Sequence, residues 1–392
     1  MTSPLVQAVA DRFQTDFDAC PRVFFAPGRV NLVGAHLDYN GGSVLPLTVD
    51  CGVYVAAGLR ADDQIRLRSL DRELRVDLRA TDVASRGDPA HDWASYPLGV
   101  WWTFGEAMGK RTGVDMVFAG DVPMAAGMSS SAAIEVATAL ALDSLHGTGA
   151  GMQDLAMIAH RAENDYVGLR CGVMDQFASA LGKRGHALLL DCHKLAYTHV
   201  PIGQGTFEIL VMDTKVTRPL GKTRFNERVA ECSEAHRILQ AVRSLPCLAA
   251  YELADLEAAG GCLNGALRRR ATHVIEETRR VADAVAALRS GDMAAVGRAL
   301  NGSHRSARDN YEVSSPELDV ITDAARELDV VYGARLTGAG FGGCAIALIQ
   351  PGTQAQVAEH VGRRFHEQIG QRGGFRSLRV GSGATEVRLA AS

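Results

Sequence analysis

Absences narrow this chain before any motif does. Aromatic residues make up only 6% of it, and its eight cysteines lie scattered at 20, 51, 171, 192, 232, 247, 262 and 344 with no Cys-x-x-Cys. That pattern excludes a disulfide framework or a zinc cluster, so reduced thiols and a cytoplasmic location are expected. No uninterrupted apolar stretch reaches the roughly 18 residues that a membrane span needs. Residues 1–20 are polar and amphipathic, without the charged start and apolar run of a signal peptide. There is no excess of charge of one sign, since 41 Lys and Arg face 45 Asp and Glu for a net −4. Nothing in that balance calls for nucleic acid or an anionic membrane. Internal repeats and low-complexity linkers are absent too.

Two familiar phosphate loops are also missing. Gly221-Lys222-Thr223 has the tail of a P-loop, but Val216 stands where its first glycine belongs. Gly338-Ala339-Gly340-Phe341-Gly342-Gly343 has the letters of a dinucleotide fingerprint. It runs into Cys344–Gln350, a short apolar stretch stopped by Pro351-Gly352, which reads as a strand and not the helix that fingerprint requires.

What is present suits an α/β enzyme. Nearly half the residues are hydrophobic, and 392 residues suffice for two domains, 1–200 and 201–392. Apolar periodicity predicts a helix over Leu5–Phe17, a strand over Arg22–Ala26 and another over Val53–Leu59. Ser130–Leu145 and Met152–Val167 read as helices, as do Asn226–Ser244, Val274–Arg289 and Ala294–Ser303 in a more helical second half. Arg268-Arg269-Arg270 reads as a solvated helix face.

Three segments carry chemistry. In Gly28 to Gly42, the cation Arg29, the imidazole His36 and the carboxylate Asp38 fall within ten residues of an otherwise apolar, Gly-rich run. Buried charge of that kind must be paired or used, so a polar ligand is expected there. In Pro123 to Ala133, Gly127 and the hydroxyls of Ser129, Ser130 and Ser131 open a helix. Helix-start N–H groups and the dipole favour an anion, phosphate above all, although serine N-capping alone explains one of the three. In Glu163-Asn164 … Cys171-Gly172-Val173-Met174-Asp175-Gln176, two carboxylates are spaced to hold Mg²⁺ and to act as a base. Taken alone, a helix-surface Glu and an N-capping Asp explain them better.

These segments, in this order, resemble the signature of the GHMP kinases and, more narrowly, of their galactokinase branch. Asp309-Asn310-Tyr311-Glu312-Val313-Ser314 and Gly338–Cys344 are similar to it too, and the similarity runs from about residue 22 to 390. The resemblance implies a two-domain α/β (α+β) fold with the active site in the interdomain cleft. It implies ATP- and Mg²⁺-dependent phosphorylation of a sugar at its anomeric C1 hydroxyl. Asp175 is then the base and Arg29 the cation beside it. Arg29, Ala35, His36, Asp38, Gly172, Asp175 and Phe225 would surround the sugar. Gly127, Ser129, Ser130, Ser131, Gly338 and Gly340 would hold ATP, and Ser131 with Glu163 the metal. Monomer and homodimer are left open.

The chain departs from that branch at two sugar-wall positions. Ala35 stands where the signature has Glu, and Phe225 where galactokinases carry Tyr. Lys222 and Arg224 add positive charge nearby. Galacturonokinases share the Ala. The expectation is a pocket altered toward galacturonate or another C6-modified sugar such as a pentose. An ordinary galactokinase with a drifted pocket and a non-catalytic sugar and ATP sensor are the alternatives.

Overall fold

The computed structural model describes residues 3–72, 75–84, 86–122, 127–203, 205–216 and 221–389, with the backbone alone at 89 and 221–223. The expectations for Pro123–Ala126 and for the Lys222 side chain lie outside the described residues.

The chain starts with α1 (Pro4–Phe17), where Ser3 Oγ accepts the Leu5 N–H and a proline opens the first turn. Its buried residues Val6, Val9, Ala10 and Phe13 recur at helical spacing and seat one face on a sheet. Then come β1 (Arg22–Asn31), β2 (Ser43–Val44), β3 (Pro46–Leu59) and the hairpin β4 (Gln64–Ser69) and β5 (Val76–Arg79). α2 (Ser95–Met108), β6 (Val114–Gly120), α3 (Ser130–His146) and α4 (Met152–Arg161) follow. The helix expected to run unbroken to Val167 instead changes to a π-helical turn at Ala162–Val167, a wider winding often found at functional sites. α5 (Met174–Leu181), β7 (His186–Asp191) and β8 (Ala196–Pro201) complete the first half.

The second half holds β9 (Glu208–Asp213), α6 (Gly221–Gln240), α7 (Leu253–Ala259), α8 (Gly265–Ser290), α9 (Met293–Asp309) and α10 (Pro316–Arg326). It ends with β10 (Val331–Leu336), β11 (Cys344–Ile349), α11 (Gln354–Ile369), β12 (Gly374–Leu378) and β13 (Thr385–Val387).

Among the described residues three sheets result, with strand orders β13-β1-β3-β6-β4-β5, β10-β11-β9-β12 and β2-β7-β8. β11 is buried at every residue because it is an inner strand of its sheet. The C-terminal segment crosses the expected division near residue 200, first where Val380 bridges Val49. β13 pairs antiparallel with β1, Val387 opposite Val23, and so returns to the first sheet.

Two further expectations are corrected. β1 does not stop at Ala26 but continues through Asn31, with a register shift between Pro27 and Arg29, so the first four residues of the Gly28–Gly42 run are strand. Arg270 does not lie on a solvated face. It is 1% exposed, and its guanidinium reaches Glu231 at 2.7 Å, Glu312 at 2.6 Å and the Asn310 carbonyl at 2.5 Å. A spacing argument counts charges on one helix and cannot see the partners that α6 and the 309–314 segment bring to it.

Candidate active site

The end of β1 carries Arg29, which is 4% exposed. Its Nε and Nη2 donate to the two oxygens of Asp175 at 2.6 and 2.7 Å, and Nη1 donates to the Gly127 carbonyl at 2.7 Å. Such a two-pronged pair fixes both planes and is stronger than a single contact. Asp175 lies in the first turn of α5, and the Ser129 hydroxyl donates to its Oδ2, the oxygen that also accepts Arg29 Nη2. One carboxylate thus ties β1, the 127–129 loop and α5 together.

Both glycine-rich loops converge here. Gly127 and Gly338 have φ of 63° and 75°, and a β-carbon on Gly127 would lie 3.1 Å from the Gly338 α-carbon. Gly340 lies against the Val313 carbonyl instead, and Phe341 N–H donates to that carbonyl at 2.7 Å. The 309–314 segment therefore anchors the closing loop through Val313. Ser130 opens α3 beside these loops.

A cavity of about 240 Å³ lies between the halves. Arg29, Ala35, His36, Asp38, Ser131, Glu163, Asp175, Phe225 and Gly338, singled out in the sequence, all line it. Gly172 stands behind Asp38, close enough that a β-carbon there would be 2.3 Å from the carboxylate. Burial, and then the charge of Asp175, push the Asp38 carboxyl up to about 6. His36 adopts φ 58°, with its carbonyl receiving the Asn40 side-chain N–H at 2.7 Å. Burial, then His273 and Arg335, push its imidazole down to about 3, so it is neutral at ordinary pH. Its Nδ1 lies 2.9 Å from the Tyr39 hydroxyl, which meets the Tyr311 hydroxyl at 2.8 Å. That leaves Nε2 buried with no partner among the described residues, free for a ligand hydroxyl. Phe225 packs 5.9 Å from the His36 ring and 5.4 Å from Tyr39, ring centre to ring centre.

Glu163 is buried in the π-helical turn. It accepts hydrogen bonds from Gln176 at 2.6 Å and from the Ser131 hydroxyl, while burial and Asp175 raise its carboxyl above the usual range. Among the described residues no cluster of three or more His, Cys, Asp or Glu is placed to hold a metal alone.

Several lining residues were not picked out in the sequence. Asn31 Oδ1 is buried without a partner, and Arg335, Leu169, Cys171, Met174 and Ala339 complete the wall. Arg335 had one signal, a lone cation in the apolar stretch Ala334–Thr337. Conversely, Arg224 does not line the cavity. Its guanidinium lies 5.8 Å from the Phe341 ring centre.

Comparisons with known proteins show the family and the fold. The galactokinase galactose-binding signature matches residues 11–59, the GHMP kinases N terminal domain residues 95–183, and the GHMP kinases C terminal model residues 284–367. A galactokinase of Exiguobacterium sibiricum is 40% identical over 368 residues, 93% of each chain. One of Bacillus subtilis is 35% identical over 370 residues, 94% of this chain and 95% of that one. The crystal structure of Lactococcus lactis galactokinase complexed with galactose superposes with a TM-score of 0.92 at 33% identity, covering 98% of this chain and 100% of that one. Mevalonate kinase of Methanococcus jannaschii, at 17% identity and a TM-score of 0.66, shares the fold. With its fold, its paired glycine loops and these relatives in agreement, the chain belongs to the galactokinase family of the GHMP kinases.

Proposed function

We propose that this protein transfers the γ-phosphoryl group of ATP to the anomeric C1 hydroxyl of a galactose-type sugar. The observation that carries the reading is the Arg29–Asp175 pair, set on the cavity wall beside the contact of Gly127 with Gly338. In the reaction Asp175 takes the proton of the C1 hydroxyl. The sugar oxygen forms a bond to the γ-phosphorus as the bond to the β–γ bridging oxygen breaks, and ADP leaves. Arg29 holds Asp175 in place and meets the negative charge that spreads over the moving group. His36 and Asp38 bind sugar hydroxyls. The backbone of Gly127, Ser129, Ser130, Gly338 and Gly340 surrounds the phosphates.

The residues also fit Mg²⁺. Ser131 and Glu163 offer two hard oxygen donors in mutual contact at the cavity wall. Among the described residues no group of three or more His, Cys, Asp or Glu is placed to hold an ion alone, which suits one completed by phosphate oxygens and water. Bound there, Mg²⁺ would neutralise phosphate charge.

One feature favours an altered sugar preference. Ala35 puts no carboxylate or hydrogen-bonding group on the wall where the family signature places Glu. The reading is that C6-modified sugars, galacturonate first, are preferred over galactose.

The test is ADP release with Mg-ATP and a panel of galactose, galacturonate, glucuronate, arabinose, fucose and galactosamine, with ³¹P NMR of the product. A sugar 1-phosphate is expected. Sugar and ATP binding without turnover of any sugar would make the protein a sensor. Galactose preferred over every C6-altered sugar would leave an ordinary galactokinase.

A further inference from the structure

One cation in the cavity wall has no ion-pair partner among the described residues. Arg335, in β10, is 1% exposed yet lines the cavity with Asn31, Ala35, His36 and Phe225. Its Nε donates to the Leu336 carbonyl at 2.9 Å, and its Nη1 to the carbonyls of Leu32 at 3.1 Å and Asn31 at 3.5 Å. These are neutral acceptors, and the other edge of the guanidinium has no partner among the described residues.

Asp38 and Glu163 share the cavity wall, and neither pairs with Arg335, while the other charges nearby are matched. Both oxygens of Asp175 are held by Arg29. Glu277, whose charge acts on Arg335 from outside ion-pair range, accepts Arg280 at 2.6 Å, the Ser303 hydroxyl at 2.5 Å and the N–H groups of Gly34 and Ala35 at 2.9 and 3.0 Å. His36 is neutral. Burial pulls Arg335 down to about 10, which leaves it charged at neutral pH. A buried guanidinium without a counter-ion is unfavourable by itself, and a carboxylate arriving with a ligand would relieve it.

We infer that Arg335 is a specificity-determining residue of the sugar site, and that its free guanidinium edge receives a carboxylate carried by the sugar, as in a hexuronate. The inference rests on the proposed sugar kinase reading and gives its altered pocket a positive group. Ala35 takes part by being small and uncharged. A Glu at that position would neutralise the cation from within and repel the substrate carboxylate. Asn31 Oδ1, buried and unpartnered on the same wall, supplies an acceptor for a neighbouring hydroxyl. The planar fork of an arginine suits a carboxylate better than a lysine does.

The test compares kcat/KM for galacturonate and for galactose in the full chain and four variants. Arg335→Gln and Ala35→Glu are expected to lower the galacturonate-to-galactose ratio by about 10- to 100-fold. Arg335→Lys and Ala35→Gln should lower it less. A purely structural role for Arg335 would depress both sugars alike, and an unchanged ratio in Arg335→Gln overturns the inference. Should Arg335→Gln not fold, the Ala35 pair decides, because Glu and Gln fill similar space. Equal ratios for those two also overturn it. Calorimetric titration of galacturonate separates this claim from the kinase reading. A protein that binds galacturonate, loses it in Arg335→Gln or in Ala35→Glu but not Ala35→Gln, and phosphorylates nothing, fails the kinase reading alone. One that phosphorylates galacturonate with a ratio indifferent to position 335 fails this inference alone. A protein that neither binds nor phosphorylates galacturonate overturns it outright.

Discussion

Gly127 and Gly338 touch backbone to backbone across the cleft, so that a β-carbon on Gly338 would lie 2.9 Å from the Gly127 α-carbon. Both hold positive φ, which a side chain adopts only with strain. The loop that opens α3 and the loop that leads into β11 therefore share one surface, and only glycine allows it. Gly127→Ala is expected to part the loops by a few tenths of an ångström at least. Misplacement on that scale near a phosphoryl group lowers kcat/KM for ATP by about 100-fold. Sugar binding, on the far wall, should change little. Steady-state kinetics with calorimetry of the sugar checks both halves, and equal loss of sugar and ATP binding would point to a general folding defect.

Asp175 is held at three places, by Arg29 through two bonds and by Ser129 through one. Asp175→Asn keeps the shape and removes the proton acceptor. Turnover should fall by about 10²- to 10⁴-fold, with ATP affinity close to normal, because the lost interaction belongs to the transition state. Retention of more than about a tenth of kcat would mean that positioning carries the rate.

Glu163 and Ser131 come from the π-helical turn and from α3, and they meet. Glu163→Gln keeps the volume and the contact with Gln176 but removes a hard anionic donor. The magnesium concentration giving half-maximal rate should rise by about tenfold or more. Titration of MgCl₂ at fixed ATP reads this directly, and an unchanged requirement would remove Glu163 from the metal site.

Much of this site was legible as sequence because its residues cluster in short runs. Arg29, His36 and Asp38 come from one such run and stand on one cavity wall. Two things were not legible. The π-helical winding at Ala162–Val167 has no periodic signature in six residues, so the stretch read as plain helix. Charge balance between distant segments was also hidden. Arg270 read as solvated because Glu231 and Glu312 are far away in sequence, and Arg224 read as positive charge near the sugar wall although it packs over Phe341. Arg335, inside a strand, lines the cavity together with Arg29. The return of β13 to β1 was equally invisible, since a three-residue strand has no pattern that names its neighbour.

Asp38 makes both stability and sugar binding depend on pH. Burial first, and the Asp175 charge second, raise its carboxyl to about 6 from an ordinary 3.8. The folded protein thus holds that proton more tightly than the unfolded chain. The group's stabilising contribution is fully present below about pH 3.8 and is lost as pH rises through about 6. Asp38→Asn removes this dependence. The ligand-free variant should match the wild type near pH 4 and melt about 2–4 °C above it at pH 8. Sugar binding should move the opposite way. The ionised carboxylate is the better acceptor for sugar hydroxyls, so the wild-type KM for sugar should fall as pH rises through about 6, while the variant binds weakly at every pH. Thermal melts across that range, paired with KM at each pH, decide the matter. A variant no more stable than the wild type at pH 8 would show that the Asp38 charge is well solvated in the folded protein.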